Sequence, residues 1–224
     1  MRRLKIILMA VALLIIAINA NAWPWLSPYA YCMNNPVKFL DPDGRKVVDP
    51  IGRRMLYYDS QSQLHFTKYA NEDVHRMVES LSLTNTGVKM LKQVVTSGIN
   101  VHFSISNETK KNGNRITYGE TIQGNFKKAD NYGKTSDGKG IKEASITVYE
   151  GSIEKGVTPG SGLKHEGLNS QQALGAVIAH EIVHATDKKE IAKDLKYESQ
   201  GNLNPEREVK PNEIENRVLE EYKK

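Results

Sequence analysis

The run ALGAVIAHEIVHA, Ala173 to Ala185, constrains the fold of this chain more than any other stretch. Wound as a helix it is apolar on nearly every side, interrupted only by His180, Glu181 and His184. A helix that is apolar all round belongs in an interior, so the rest of the domain must wrap around it. Two histidines and a glutamate inside such a helix are costly without a partner. Residues four apart share a helix face, and His180 and His184 can therefore aim two imidazoles at one ion. Zinc accepts neutral imidazole nitrogen and, in catalytic sites, keeps an open position for water. Glu181, one residue on, projects beside such an ion, where it can take a proton from the water.

The flanking sequence alternates helical and extended patterns. Residues 53–68 predict a hairpin about Asp59-Ser60-Gln61-Ser62. Asn71 is placed to cap a helix over 72–83, and Val88, Leu91 and Val95 recur at helical spacing in a second. Val101, Phe103 and Ile105 alternate as one face of a strand; 116–126 and 144–153 predict two more, with a Lys-, Gly- and Asp-rich loop over 126–142. Ser170 is expected to cap the long helix. A polar segment, a loop over 202–211 and a last helix over 212–222 follow. The pattern as a whole is α+β.

A chain of 224 residues fits one globular domain plus appendages. Residues 1–22, MRRLKIILMAVALLIIAINANA, have a basic start, a short apolar run and an Ala20-Asn21-Ala22 cleavage pattern, which predicts a secretory signal peptide. The expected localisation is secreted, periplasmic or extracellular, with no stable membrane insertion once the signal is cleaved. The net charge is +5; without Arg2, Arg3 and Lys5 it is 28 basic against 26 acidic residues, or +2 (31 − 3 − 26). No nucleic-acid partner is implied by so small an excess. Cys32 is the single cysteine, so no internal disulfide can form.

Residues 27–44, SPYAYCMNNPVKFLDPDG, closely resemble the end of the core region of Rhs/YD-repeat proteins. In that family the motif marks the junction before a variable toxin domain. The resemblance implies a junction segment over 23–45 and an effector domain over 46–224, with an immunity protein as a partner. Where that family carries a large repeat shell, this sequence has the predicted signal peptide, which is expected to stand in its place.

His180, Glu181 and His184, with the elements around them, resemble the zincin metallopeptidases over roughly residues 70–224. LSLTNTGVKMLKQV and AHEIVHATD are similar to compact zincin domains of bacterial polymorphic toxins and injected effectors. The resemblance implies a small mixed sheet packed on the active-site helix, a C-terminal helix that supplies a ligand, zinc as cofactor and a protein or peptide substrate. The metzincin continuation is absent, since Asp187 stands where its Gly would be and Glu190 where its last His would be. That leaves the glutamate-ligand branch. It also implies that Ser145–Gly151 is the strand along which substrate lies; Tyr149 there either faces the cleft or, the favoured reading, packs as a strand tyrosine.

The third ligand must be a carboxylate, because no His or Cys follows His184. Glu206, Glu208, Glu213 and Glu215 are the candidates. Pro205 and Pro211 put the first two in an irregular stretch, and Asp187 shares a helix turn that points away from both histidines. Glu213 opens the last helix, and Asn212-Glu213 is similar to the pair that supplies this ligand in glutamate-type zincins, although Arg217 occupies the place of that pattern's later Asp. Glu213 is therefore the expected ligand and Glu215 the runner-up. His65, His75, His102 and His165 are set aside as isolated histidines. The expected function is a secreted zinc metallopeptidase of toxin type. The alternatives are a non-catalytic secreted remnant of an Rhs-type protein and a zinc hydrolase of a non-peptide amide.

Overall fold

The computed structural model describes residues 47–124, 141–199 and 205–223. The predicted signal peptide, the junction segment with Cys32, and the predicted loop up to residue 140 lie outside the described residues. The chain forms two compact units, Met1–Pro42 with Asp59–Ser62, and Asp43–Tyr58 with Gln63–Lys224. Of the first, only Asp59–Ser62 is described, a turn in which the Gln61 amide donates to the Asp59 carboxylate at 2.8 Å. The second unit carries everything below.

In chain order its elements are β1 (Val47–Val48), β2 (Leu56–Tyr58), β3 (Leu64–Phe66), α1 (Glu72–Leu81), α2 (Asn85–Thr96), β4 (Asn100–Ser106), β5 (Lys110–Asn112), β6 (Arg115–Thr117), β7 (Gly119–Gln123), β8 (Glu143–Tyr149), α3 (Glu150–Val157), α4 (Ser170–Thr186), α5 (Lys188–Ser199), a 3-10 turn (Pro205–Glu208) and α6 (Val209–Glu221). The architecture is α+β. The main sheet runs β1-β4-β8-β7, the first three parallel and β7 antiparallel. β2 with β3 and β5 with β6 make two small antiparallel pairs. No helix among the described residues is long and apolar enough to cross a membrane.

The apolar helix α4 is the centre, as its composition predicts. Ala173 through Ala179 are all buried, as are Ile182, Val183 and Ala185. One face of the sheet, with Val101, Phe103, Ala144, Ile146 and Val148 buried, belongs to the same core, together with α1, α2 and α6. Gly175 lets α1 come close, because a Cβ there would lie 2.6 Å from the Ser80 carbonyl oxygen. Asn71 and Thr84 cap α1 and α2 by accepting from the amides of Val74 and Gly87.

Several predicted elements are corrected. The N-cap of α4 is Asn169, one residue before Ser170, and it forms a reciprocal capping box with Gln172. The strand predicted to run through Ile153 stops at Tyr149. Glu150 begins α3 and is held by the Arg76 guanidinium. Tyr149 and Ile153 are four apart, a spacing that so short an apolar run leaves ambiguous between strand and helix. The polar segment after α4 is itself a helix, α5, docked by buried Ile191 and Leu195 one turn apart. From Pro205 to Pro211 the stretch read as a loop is the 3-10 turn and the first turn of α6. A proline there costs nothing, since a first-turn amide has no intrahelical acceptor.

Candidate metal centre

Helix α4 presents His180 and His184 on one face, with their rings 5.1 Å apart between centroids. The third group to reach them is Glu208, not Glu213. The Glu208 Oε2 atom lies 3.1 Å from His180 Nε2 and 3.4 Å from His184 Nε2. One ligand atom from each of the three falls within 4.8 Å of the others, and together they can hold a metal ion. Donors at the corners of a tetrahedron around an ion about 2.0–2.1 Å away are separated by roughly 3.3–3.4 Å, close to what is seen.

Glu213 is corrected by helix geometry. Glu208 and Glu215 are seven residues apart (215 − 208), two turns along one face. Both address His180, Glu208 at Nε2 and Glu215 at Nδ1, the latter at 3.0 Å. Glu213 is five residues from Glu208 (213 − 208), off that face and exposed. The stretch holding Pro205 and Pro211 is not irregular there, because the 3-10 turn runs straight into α6. The set-aside His165 also joins the site. It is fully buried, and its Nε2 donates to Glu215 Oε1 at 2.8 Å. An isolated histidine in a glycine-rich loop gives no sequence signal of this.

The Nδ1 atom of each candidate ligand is engaged, on His180 by Glu215 and on His184 by Asp194 at 2.9 Å. Each neutral ring then has its proton on Nδ1 and a bare lone pair on Nε2, the arrangement that prepares imidazole for a metal. Two lone pairs and the Glu208 carboxylate would repel one another unless a cation lies between them.

The charges make the same point. Glu181, Asp194, Glu208 and Glu215 are countered by two cations. Lys164 Nζ lies 2.6 Å from Glu215, and Arg207 Nε lies 3.1 Å from Asp194 and 3.3 Å from Glu208. With every carboxylate ionised the balance is −2 (2 − 4). One divalent ion closes it, as do two protons on the imidazoles. The titration behaviour of the metal-free site reflects that second option. Burial opposes charge on His180, but hydrogen bonds to Glu208 and Glu215 outweigh it and raise its pKa to about 9. Burial likewise opposes charge on His184, and Asp194 and Glu208 raise it to about 10. Burial works against ionised Glu208 and Glu215 too, yet their histidine partners hold both far below the usual carboxylate range.

Glu181 is buried beside this group. Burial raises its pKa, while His180, His184 and the Thr121 hydroxyl, which donates to Oε2 at 2.7 Å, pull it back in part. Strand β7 closes over it, and a Cβ on Gly119 would fall 2.7 Å from Glu181 Cγ and Oε1. Gln123, further along β7, donates to the His184 carbonyl. A cavity of about 220 Å³ opens here, lined by Tyr118, Gly119, Lys164, Val177, His180, Glu181, Asn212 and Glu215.

One further expectation changes. The strand Ser145–Gly151 is not at the edge, for β8 is paired on one side by β4 and on the other by β7. The edge beside the site is β7, which on its other side pairs with no described strand. Of the two readings of Tyr149, the packing one fits, for it does not line the cavity. Its hydroxyl donates to Glu120 at 2.8 Å, and burial and that bond push its pKa up to about 12. Tyr118 lines the cavity instead. Asp187 caps α4 and pairs with Lys210, and buried Glu190 pairs with the half-exposed Lys193, so neither reaches the histidines. Comparison with protein-family models, with curated proteins and with solved structures finds no match to this chain.

Proposed function

We propose that the chain is a zinc-dependent peptidase of zincin-like architecture. The observation that carries this reading is the convergence of His180 Nε2, His184 Nε2 and Glu208 on one point, with both Nδ1 atoms tied back by carboxylates and Glu181 alongside. The donor set, two imidazoles and one carboxylate, is one that zinc takes in catalytic sites. Bound zinc supplies a Lewis acid that polarises a carbonyl and makes a water acidic near neutral pH.

The protein's own part is orientation and proton transfer. Glu181 is held by Thr121 so that one oxygen is fixed and the carboxylate is available as a base. It takes the proton of the attacking water and delivers it to the leaving amine. The side of β7 that pairs with no described strand offers backbone groups along which an extended substrate can lie as an added strand. That assigns the substrate-pairing role to β7 in place of the strand suggested by family resemblance. A secreted toxin role, with an immunity protein as partner, rests on sequence alone: residues 1–45, and the likeness of 81–94 and 179–187 to toxin zincin domains.

The test is Glu181→Gln, which keeps the shape of the side chain and cannot accept the proton. Zinc content should stay at the parental level, and cleavage of an unfolded protein substrate should fall about 100- to 10,000-fold. Activity within about threefold of the parent would remove Glu181 from this role. A zinc-loaded parent that cleaves no protein would sink the peptidase reading itself.

A further inference from the structure

His165 is the one fully buried histidine of the described residues, and the proton transfer above makes no use of it. Its surroundings are unusual for a packing residue. Its Nε2 meets Glu215 Oε1 at 2.8 Å, while its Nδ1 has no hydrogen-bond partner among the described residues. A buried polar atom left unpaired costs free energy, and an apolar side chain of similar size would avoid that cost. The ring also packs edge-on against Tyr118, at 4.6 Å between centroids, and Tyr118 lines the cavity beside His180.

We infer that His165 is a positioning residue for the metal centre, acting through Glu215 on His180. The inference rests on the metal-site reading above. Glu215 accepts three hydrogen bonds. Oε1 takes one from His165, and Oε2 takes those of His180 Nδ1 at 3.0 Å and Lys164 Nζ at 2.6 Å. Lys164 has a side chain 37% exposed and can follow the carboxylate as it turns. His165 cannot, being enclosed on all sides. Its N–H is thus the fixed point that stops Glu215 from rotating out with Lys164. While Glu215 stays, the His180 proton stays on Nδ1 and the Nε2 lone pair faces His184 and Glu208. Such outer partners of a ligating histidine commonly tune metal affinity.

The experiment compares His165→Gln with His165→Asn in the full-length chain. The Gln amide nitrogen can reach the place of imidazole Nε2, whereas the Asn amide sits near Nδ1 and cannot reach Glu215. Zinc affinity is measured by competition with a chromogenic chelator, and the visible spectrum of each cobalt-substituted protein is recorded. His165→Asn should bind zinc about tenfold more weakly and shift the cobalt bands, and His165→Gln should stay within about threefold of the parent. Adding either substitution to Glu215→Gln should change affinity no further, because the residue through which His165 acts is already altered. This last comparison decides the matter even if His165→Asn alone folds poorly. Parental affinity and spectra in both single variants would overturn the inference and leave His165 as packing. A parent chain that binds neither zinc nor cobalt would overturn the metal site first, a distinct failure.

Discussion

At the scale of single residues the site behaves as a trap for two positive charges, and pH should show it. In the metal-free protein the pKa values of His180 and His184 stand at about 9 and about 10, above the 6.5 of an ordinary histidine. A raised pKa stabilises the fold fully below about 6.5, and that contribution is lost as pH rises through the folded values. The metal-free protein should therefore melt progressively lower between pH 7 and pH 10. Metal binding runs the other way, since the ion must displace those protons. Apparent zinc affinity should tighten by roughly ten- to hundredfold per pH unit from pH 7 to 9, one or two protons leaving per ion. Calorimetry in buffers of differing ionisation enthalpy counts them, and no proton release at pH 7 would contradict the assignment. The third ligand has its own test. Glu208→Ala should lose more than the 10- to 100-fold that an outer partner is worth, while Glu213→Ala should match the parent.

At the scale of elements, two glycines separate stability from activity. At Gly175 a Cβ would meet the Ser80 backbone carbonyl, which cannot give way without moving α1. Gly175→Ala should cost about 1–3 kcal/mol, read as a lower denaturant midpoint. At Gly119 the Cβ would meet Cγ, Cδ and Oε1 of Glu181, so any relief has to displace the base itself rather than backbone. Gly119→Ala should keep the midpoint and lose activity, the reverse signature. Neither contact is legible in the sequence, because both are long-range approaches of backbone to helix. What was legible had strong local causes. The apolar run of α4 fixed the core, Asn71 fixed the start of α1, and the His180, Glu181 and His184 spacing placed the histidines on one face. Where local signals were weak the reading failed. The polar surface of α5 hid its Ile191–Leu195 pair, and two prolines disguised a continuous 3-10 turn and helix as a loop. The expectation of Glu213 followed from that last error, since a helix begun at Val209 places Glu208 and Glu215, and not Glu213, on the face toward α4.

At the scale of the whole molecule, the centre joins α4, β7, the 3-10 turn and α6, so metal and fold should be coupled. A ligand that binds only the folded state adds about 4 kcal/mol at a thousand times its dissociation constant. A chelator should lower the parent's melting temperature by several degrees and leave a His180→Ala, His184→Ala double variant unmoved. Equal shifts in both would put the ion elsewhere.

Helix α6 also reaches past the site. Glu208 and Glu215 stand near its start, while Glu221 at its far end bonds the backbone amide and hydroxyl of Thr86 in α2. The two histidines, already neighbours on α4, need no distant part of the chain to meet an ion, but the third donor arrives only when α6 is docked. Capture and retention of the ion are thus governed by different events. If the site holds an ion, its rate of loss should therefore report the undocking of α6 from α4 and α2.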